Sequence, residues 1–555
     1  MQLVQGKNNI LVLSDLHIGN ALRPPMNRAA LRKVARLDKA LERFLNYHRR
    51  RPKRDENGAR IPWTLILNGD IIDFLHIGLE PEAGLKADEA RYGLLFAQHR
   101  SRWKLQQIGR YHRRAFRAFA RFIDAHNQII FVAGNHDVDL WFPKVRADLS
   151  GLIAAHSRHP KAARRKISFA PWFYHEPGRI YTEHGHRFDP YSTFTDPIDP
   201  LAPLPEAERR HQRERQIHPS FAHWGLRYFA NENRSLPIQD IESWGLRDFI
   251  RWGISEAGFG IPRLFLSYLR FLLRYFRDAG DAKLNAAGPL GRRRRRRIAR
   301  FARRARLSFE RAVALDDLHS PHVASSLLRF VHATYIDRFL FLFSLPLFAY
   351  LFHLALPDHF TPWLYWGGFT GLVIGGWFLL VARRPPQDIH PFLAKVAQDI
   401  TTITGVSVVV FGHTHQPVLQ AEEGVCWVNP GSWEHFPSQK LHKHDAPCNC
   451  SARFARIDGK GEALEVYLER WCEVRGEVEV LDRFVAADHP VEALSEPNLG
   501  AALSARIAAL LRGARRANRT EKDTEDEEAA TQEQSPSPVE SPVNEGEVSP
   551  SEEES

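Results

Sequence analysis

Short apolar runs that end in clusters of Asp, Asn and His are the repeated pattern of this chain. The first run, at 10–13, is followed by Asp15 and His17. Residues two apart in a strand point to the same side, so this acid and this histidine can aim at one point. Carboxylate oxygens and imidazole nitrogens are ligands of first-row divalent metals. The segment therefore predicts a buried strand that ends in a metal-binding pair.

Four later runs repeat this pattern, at 63–67, 128–133, 179–182 and 406–411. They end in Asn-Gly-Asp-Ile-Ile-Asp (68–73), Gly-Asn-His-Asp (134–137), Glu-His-Gly-His (183–186) and Gly-His-Thr-His (412–415). Between them, periodic apolar positions predict helices at 27–51 and 87–125. Five strand-terminal clusters in one chain predict a two-metal site, and two cations can clamp a phosphoryl group while they activate water.

The order of these five blocks resembles the calcineurin-like metallophosphoesterase family. The blocks lie within 1–187 and 400–475, and each is intact. The resemblance implies an α+β fold, a four-layer sandwich of two mixed β-sheets flanked by helices, with the site at the strand ends. It also implies a metal-dependent phosphoesterase that uses two divalent ions, such as manganese, iron or zinc.

The resemblance assigns metal-ligand positions to Asp15, His17, Asp70, Asn135, His184, His413 and His415. In the family's pattern, the first two and the last hold one ion. The asparagine and the other two histidines hold the second ion, and Asp70 bridges the pair. His186 is the weaker match, because the family's ligand is usually the histidine before the glycine.

The same pattern assigns the catalytic role near the leaving group to His136. Its imidazole would be oriented by Asp73 or by Asp137, and the sequence leaves both open. A histidine held off the metals is suited to donate a proton or to stabilise charge in the transition state.

A basic, aromatic-rich helical insertion is predicted at 188–338. Its aromatic residues suit a lid, a platform on a membrane surface or an ordinary helical core. It contains six consecutive arginines, from Arg292 to Arg297. Acidic lipid head groups attract such clusters, at about 1 kcal/mol per basic residue near the surface. Nucleic acid is the competing partner, but the chain shows no recognised nucleic-acid-binding module. The insertion therefore predicts contact with acidic lipid.

Two apolar stretches, 339–356 and 363–382, contain no Asp, Glu, Lys or Arg. Each has about the length that crosses a hydrocarbon core of roughly 30 Å. Arg329 and Arg338 precede the pair, and Arg383 and Arg384 follow it. This asymmetry predicts a transmembrane hairpin at 339–382 with the catalytic domain facing the cytoplasm. A buried helical hairpin in a soluble protein is the alternative.

The remaining segments complete the predicted organisation. The core's first part is 1–187, and its second part, with a C-terminal helix, is 383–512. Residues 513–555 form a tail rich in Glu, Ser and Pro, which predicts disorder. Because the tail is acidic, the formal charge of +11 understates how basic the rest of the chain is.

Together these features predict a membrane-anchored, dimetal phosphoesterase that hydrolyses a P–O bond through metal-bound hydroxide. A lipid-linked or head-group phosphoester or pyrophosphate is the favoured substrate. One membrane-acting type in the family cleaves a nucleotide-sugar lipid pyrophosphate but typically has Asn-Arg-Asp where this chain has Asn-His-Asp (135–137). The alternatives are a tethered enzyme for soluble nucleotides or phosphoproteins, and a non-catalytic membrane scaffold.

Overall fold

The computed structural model describes residues 9–201, 215–232, 251, 255, 261–284, 289–355, 362–382, 389–422, 425–433 and 451–486. The predicted C-terminal helix and the acidic tail lie outside the described residues, as does the turn between the two apolar stretches.

The strands of the described residues are β1 (Asn9–Leu13), β2 (Trp63–Asn68), β3 (Gln128–Val132), β4 (Ile167–Ala170), β5 (Phe173–Glu176), β6 (Ile180–Glu183), β7 (Val408–Val410), β8 (Val418–Glu422), β9 (Val425–Asn429), β10 (Arg453–Asp458), β11 (Glu465–Cys472) and β12 (Glu477–Val485). The helices are α1 (Arg28–Arg50), α2 (Ala87–Tyr92), α3 (Gln98–Tyr111), α4 (Arg113–Asp124), α5 (Pro143–Ala154), α6 (Pro160–Arg165), α7 (Phe221–Gly225), α8 (Ile261–Leu284), α9 (Pro289–Ala305), α10 (Phe309–Asp317), α11 (Leu327–Ala333), α12 (Ile336–Ala355), α13 (Pro362–Ala382) and α14 (His390–Thr404).

Two mixed sheets form the core. The first has the order β12-β11-β10-β1-β2-β3-β4, and the second has the order β5-β6-β7-β9-β8. β1 to β4 run parallel, as do β6, β7 and β9, so the carboxyl ends of each set lie along one edge. This alignment is what brings the polar clusters that follow these strands together.

Apolar side chains of the two sheets pack against each other. Ile10, Val12 and Ile66 of the first sheet share one buried cluster with Val408 and Val410 of the second. Helices cover the other faces, since α4 contacts β3 while α14 contacts β7 and β9. The predicted α+β arrangement of two mixed sheets flanked by helices is therefore confirmed.

Local sequence explains where the helices begin and end. The side chain of Asn27 accepts hydrogen bonds from the backbone N–H groups of Ala29 and Ala30, and so caps α1. The helical pattern at 87–125 forms three helices rather than one, because Gly93 turns the chain at a φ of 85° and His112 leaves helical geometry. The short strands β4, β5 and β8 to β11 did not stand out in the sequence.

The insertion contains its own aromatic core. A π-helical turn, Leu226–Ala230, continues α7. Trp224, Phe271, Tyr275 and Phe330 pack together and are buried. Much of this aromatic pattern therefore serves as the core of the insertion, which was one of its interpretations.

The two apolar stretches form α12 and α13, which contact each other. In the described part of the chain, no helix combines the length and the apolar character needed to cross a membrane. The transmembrane hairpin therefore stays a prediction from the sequence.

Candidate metal centre

Most of the predicted metal ligands have a strained backbone. Asp15, His17, Asp70, His413 and His415 all have φ between 46° and 67°, in the left-handed region that non-glycine residues rarely adopt. Such strain costs about 1–3 kcal/mol per residue and persists only where the surroundings enforce it. These loops are therefore held in one conformation by the packed strands that they follow.

Backbone hydrogen bonds tie the loops to one another. The N–H of His17 donates to the carbonyl of Asp70 at 2.8 Å, and the N–H of Asp15 donates to that of Gly69 at 3.2 Å. On the second sheet, the N–H of Gly412 donates to the carbonyl of His184 at 2.8 Å. The side chain of Asn429 donates to the Gly412 carbonyl at 2.9 Å and so holds the last cluster.

The motif glycines are required by close packing. A Cβ on Gly134 would lie 2.1 Å from Oδ1 of Asp70. A Cβ on Gly412 would lie 2.0 Å from Oγ of Ser14 and 2.8 Å from Oδ2 of Asp15. Any larger residue at either position would displace a predicted ligand.

The first group of predicted ligands is Asp15, His17 and His415, whose ligand atoms lie within 4.8 Å of one another. Nε2 of His415 lies 3.3 Å from Nε2 of His17 and 3.2 Å from Oδ1 of Asp15. Ligands about 2.1 Å from a shared ion are about 3 Å apart when they are adjacent, so these separations fit an ion between them.

The second group is Asp70, His184 and His413, also within 4.8 Å of one another. Nδ1 of His184 lies 2.9 Å from the carbonyl of Asn68, which directs Nε2 toward Oδ2 of Asp70 at 3.1 Å. Oδ1 of Asn135 is buried and makes no hydrogen bond to any residue that the structure describes. An uncompensated buried carbonyl is costly unless an ion binds it. The donor set thus fits two divalent ions, with Asp70 close to both groups.

Asp73 links the metal ligands to His136. Its Oδ2 lies 3.2 Å from Nδ1 of His17, 3.0 Å from Nδ1 of His76 and 3.4 Å from Nδ1 of His136. Nε2 of His136 lies 3.9 Å from Oδ2 of Asp70. The His136 ring therefore has one nitrogen toward Asp73 and the other toward the metal ligands.

Asp137 faces the backbone instead. Its carboxylate accepts hydrogen bonds from the N–H groups of Gly134 at 2.5 Å and Ile71 at 2.9 Å. It therefore shapes the loops around Asp70. Of the two carboxylates that the sequence left open, Asp73 is the one beside the imidazole of His136.

Electrostatics favours the ionised forms of Asp70 and Asp73, whereas burial and the neighbouring Asp70 raise the pKa of Asp137 to about 7. Burial alone would raise the pKa of Asp70, but His184 and His136 hold it well below its usual range. Burial likewise would raise the pKa of Asp73, and His76 and His136 hold it well below that range. Burial would lower the pKa of His184, yet Asp70 and Asp15 raise it to about 9.

Three residues of the site were missed in the sequence. His76 belongs to the Asp73 cluster, and its position three residues after that acid was an available signal. Asp189 lies 3.0 Å from Nε2 of His413, which leaves Nδ1 of that histidine for an ion. His223 comes from the insertion, and burial, followed by the neighbouring His136, lowers its pKa to about 3. His186 is buried, and its ring centroid lies 5.6 Å from that of His184.

The chain is similar to a known protein family and to a solved structure. A family model described as Calcineurin-like phosphoesterase matches residues 9–235. A search of curated proteins gave no match. Among solved structures, the chain is similar to a single mutant of Vps29 from Entamoeba histolytica, at 22% identity and a TM-score of 0.12. That likeness covers 16% of this chain and 46% of that chain, and it carries no argument here.

The matched region holds β1 to β6 and four of the five polar clusters. The family uses two divalent metal ions, and the two groups of ligand side chains can hold them. Residues 9–235 therefore match the Calcineurin-like phosphoesterase family, and this match indicates metal-dependent hydrolysis of phosphoesters.

Proposed function

We propose that this enzyme hydrolyses a P–O bond of a phosphoester or pyrophosphate presented at a lipid surface. The convergence of two ligand groups on Asp15 and Asp70, with His136 beside them, supports the chemistry. The residue assignments are those of the sequence: Asp15, His17 and His415 for one ion, Asn135, His184 and His413 for the other, and Asp70 between them.

Each residue has a separate task in the reaction. When bound, the two divalent ions lower the pKa of the attacking water and neutralise the phosphoryl oxygens. His136 donates a proton to the leaving oxygen from the nitrogen that faces the ligands, while Asp73 holds the other nitrogen. The neutral ligands His and Asn leave the site positive, which attracts an anionic substrate.

Exposed apolar side chains on α12 and α13 support contact with lipid. Leu347, Leu351 and Leu354 are about half or more exposed, as are Phe378 and Leu379. An apolar surface of this kind is unusual on a soluble monomer and marks an interaction site. We propose that these helices anchor the enzyme to a membrane, with the catalytic domain on the cytoplasmic side.

Fewer arginines of the run are available to contact lipid than the sequence predicted. Arg294 pairs with Asp196 and Asp316, and Arg297 pairs with Asp199. These two arginines stabilise the insertion itself. Arg295, Arg296 and the arginines further along α9 are exposed, and they are the ones proposed to meet acidic lipid.

The test is metal-supplemented hydrolysis of a panel of lipid phosphates, diesters and nucleotides by the wild-type chain and by His136→Ala. The variant should keep its metal but turn over about 10²–10⁴-fold more slowly, because the leaving oxygen lacks its proton donor. His159→Ala, which removes an exposed histidine, serves as the matched control.

The outcomes separate the competing functions. Wild-type rates from His136→Ala would refute the role of His136. A preference for soluble nucleotides over lipid phosphates, unchanged when Leu347, Leu351 and Leu354 become Gln, would favour the tethered enzyme for soluble substrates. Metal-free protein without hydrolysis of any substrate would favour the scaffold.

A further inference from the structure

Two buried cations lie near the loops of the predicted centre, and one of them, Arg227, has nitrogens without a hydrogen bond among the described residues. Lys104 on α3 is 5% exposed, and Arg227 on the π-helical turn of the insertion is 4% exposed. Neither contributes to the two ligand groups. Buried charges are costly unless they are paired, so their presence calls for an explanation.

Lys104 lies directly behind the His136 loop. Its Nζ donates to the carbonyl of Phe74 at 2.7 Å, and the N–H of Phe74 donates to the carbonyl of His136 at 3.0 Å. Phe74 follows Asp73, so the ammonium is on the side of the site where His136 meets its orienting carboxylate. By the proposed function, this is the side on which the leaving group departs.

The insertion places Arg227 next to this lysine. One helical turn earlier, the ring of His223 contacts the ring of Phe96, at 5.4 Å between centroids. Nζ of Lys104 and Cζ of Arg227 each lie 6.0 Å from the centroid of the same Phe96 ring. Both cations therefore lie against the same aromatic side chain.

The guanidinium of Arg227 is only partly satisfied. One of its terminal nitrogens donates to Asp88, a half-exposed carboxylate. Its Nε and Nη1 atoms are buried and make no hydrogen bond among the described residues. Nε carries one N–H and Nη1 carries two, and three such donors in one plane match the oxygens of a phosphate. Arg23, whose Nε donates to the carbonyl of His76, adds a third cation nearby.

We propose that Lys104 and Arg227 form an anion subsite that binds a second phosphoryl group, on the leaving-group side of His136. The favoured substrate is then a diphosphate rather than a simple monoester. Water attacks one phosphorus, the bond from that phosphorus to the bridging oxygen breaks, and the bridging oxygen takes the proton of His136. The products are two phosphomonoesters, and no further reactant is needed. This inference rests on the proposed function.

The test compares a soluble diphosphate diester, ADP-ribose, with bis(p-nitrophenyl) phosphate, which has one phosphorus. In Arg227→Gln, the ratio of kcat/KM for ADP-ribose to that for the single-phosphorus substrate should fall by about 10- to 100-fold, the value of a hydrogen bond to a charged group. Arg270→Gln removes a half-exposed arginine of the same insertion and should leave the ratio unchanged. An unchanged ratio in Arg227→Gln would overturn the subsite.

Calorimetric binding of inorganic pyrophosphate to the metal-loaded full chain gives a readout without turnover. Arg227→Gln and Lys104→Gln should each weaken pyrophosphate at least about 10-fold, and weaken inorganic phosphate less. Arg227→Lys keeps the charge but loses the planar guanidinium. Its affinity for pyrophosphate should lie between that of the wild type and that of Arg227→Gln. Equal pyrophosphate affinity in the wild type and Arg227→Gln overturns the inference. Failure of the wild type to hydrolyse either substrate would count against the proposed function instead.

Discussion

The core and the insertion of this enzyme differ in how they hold their polar side chains. The strand-end loops of the core hold Asp15, Asp70 and His413 in strained conformations, with buried ligand atoms packed closely together. The insertion and the helical pair that follows it differ from the core. Leucines on α12 are exposed, and Arg227 is buried with N–H groups that make no hydrogen bond among the described residues. The core therefore fixes the chemistry, while the insertion has the features that select what is brought to it.

Rigidity explains this division. A side chain directly after a strand is held by the ladder hydrogen bonds that this strand makes to its neighbours, so its position is fixed by the sheet. Helices of an insertion pack through side chains and can change their surface residues at small cost. Several polar contacts join the two regions, among them the Arg187–Asp316 and Arg227–Asp88 ion pairs. Substitutions can test whether the two regions respond differently.

The largest effect is expected from Gly134→Ala in the core. The added Cβ would lie 2.1 Å from Oδ1 of Asp70 and 2.6 Å from its backbone nitrogen, so the Asp70 carboxylate must move. Metal content and phosphoesterase rate should both fall, the rate by about 100-fold or more. Metal analysis and substrate turnover measure the two effects.

The matched change in the insertion is Gly371→Ala on α13. A Cβ there meets no atom within 4 Å, and alanine favours a helix by about 0.5–1 kcal/mol. Metal content and rate should stay at the wild-type level. Equal losses in both alanine variants would contradict the contrast between a fixed core and a tolerant insertion.

An intermediate effect is expected where the regions join. Asp316 on α10 pairs with Arg187 of the core at 2.8 Å and with Arg294 at 2.6 Å, and Arg187 is almost fully buried. Asp316→Asn should lower the free energy of unfolding by about 3 kcal/mol, because it removes a partner of a buried charge. The melting temperature should fall while metal binding persists.

The control for this junction is the exposed pair of Arg475 and Glu477 at 2.8 Å. Glu477→Gln should change stability by less than about 1 kcal/mol, since water already solvates both charges. If the two variants melt at the same temperature, the buried pair does not secure the insertion to the core.

The smallest effect is a pH dependence from Lys104. Burial lowers its pKa to about 8, and Arg227 and Arg23 act in the same direction, while Asp139 and Asp73 act against them. The side chain is therefore charged below pH 8 and neutral above it. KM for ADP-ribose should rise a few-fold as the pH passes 8, because a neutral amine binds phosphate weakly.

The control for this pH effect is Lys104→Arg, which keeps its charge at every pH in the range. The rise in KM for ADP-ribose should disappear in that variant. In the wild type, the rise should be smaller for bis(p-nitrophenyl) phosphate than for ADP-ribose. The same inflection in Lys104→Arg would assign the titration to another group.

Much of the site could be predicted because its signals are local. Each ligand directly follows a buried strand, and a strand's alternation fixes which of its neighbours share a side, as for Asp15 and His17. The parallel order of the strands then brought the clusters to one edge. The short strands β4 and β5 were not apparent, because four residues carry too little periodicity to distinguish a strand from a loop.

The tertiary structure alone decided which distant groups meet. Asp73 rather than Asp137 lies beside the imidazole of His136, since Asp137 is occupied by backbone N–H groups. Arg294 and Arg297 are paired within the chain, although the sequence had assigned the whole run of arginines to contact with acidic lipid. Those contacts depend on how helices far apart in the sequence pack, and a one-dimensional pattern contains no record of packing. The sequence by itself determined the donor types and their strand-end positions, because both follow from local periodicity and chemistry.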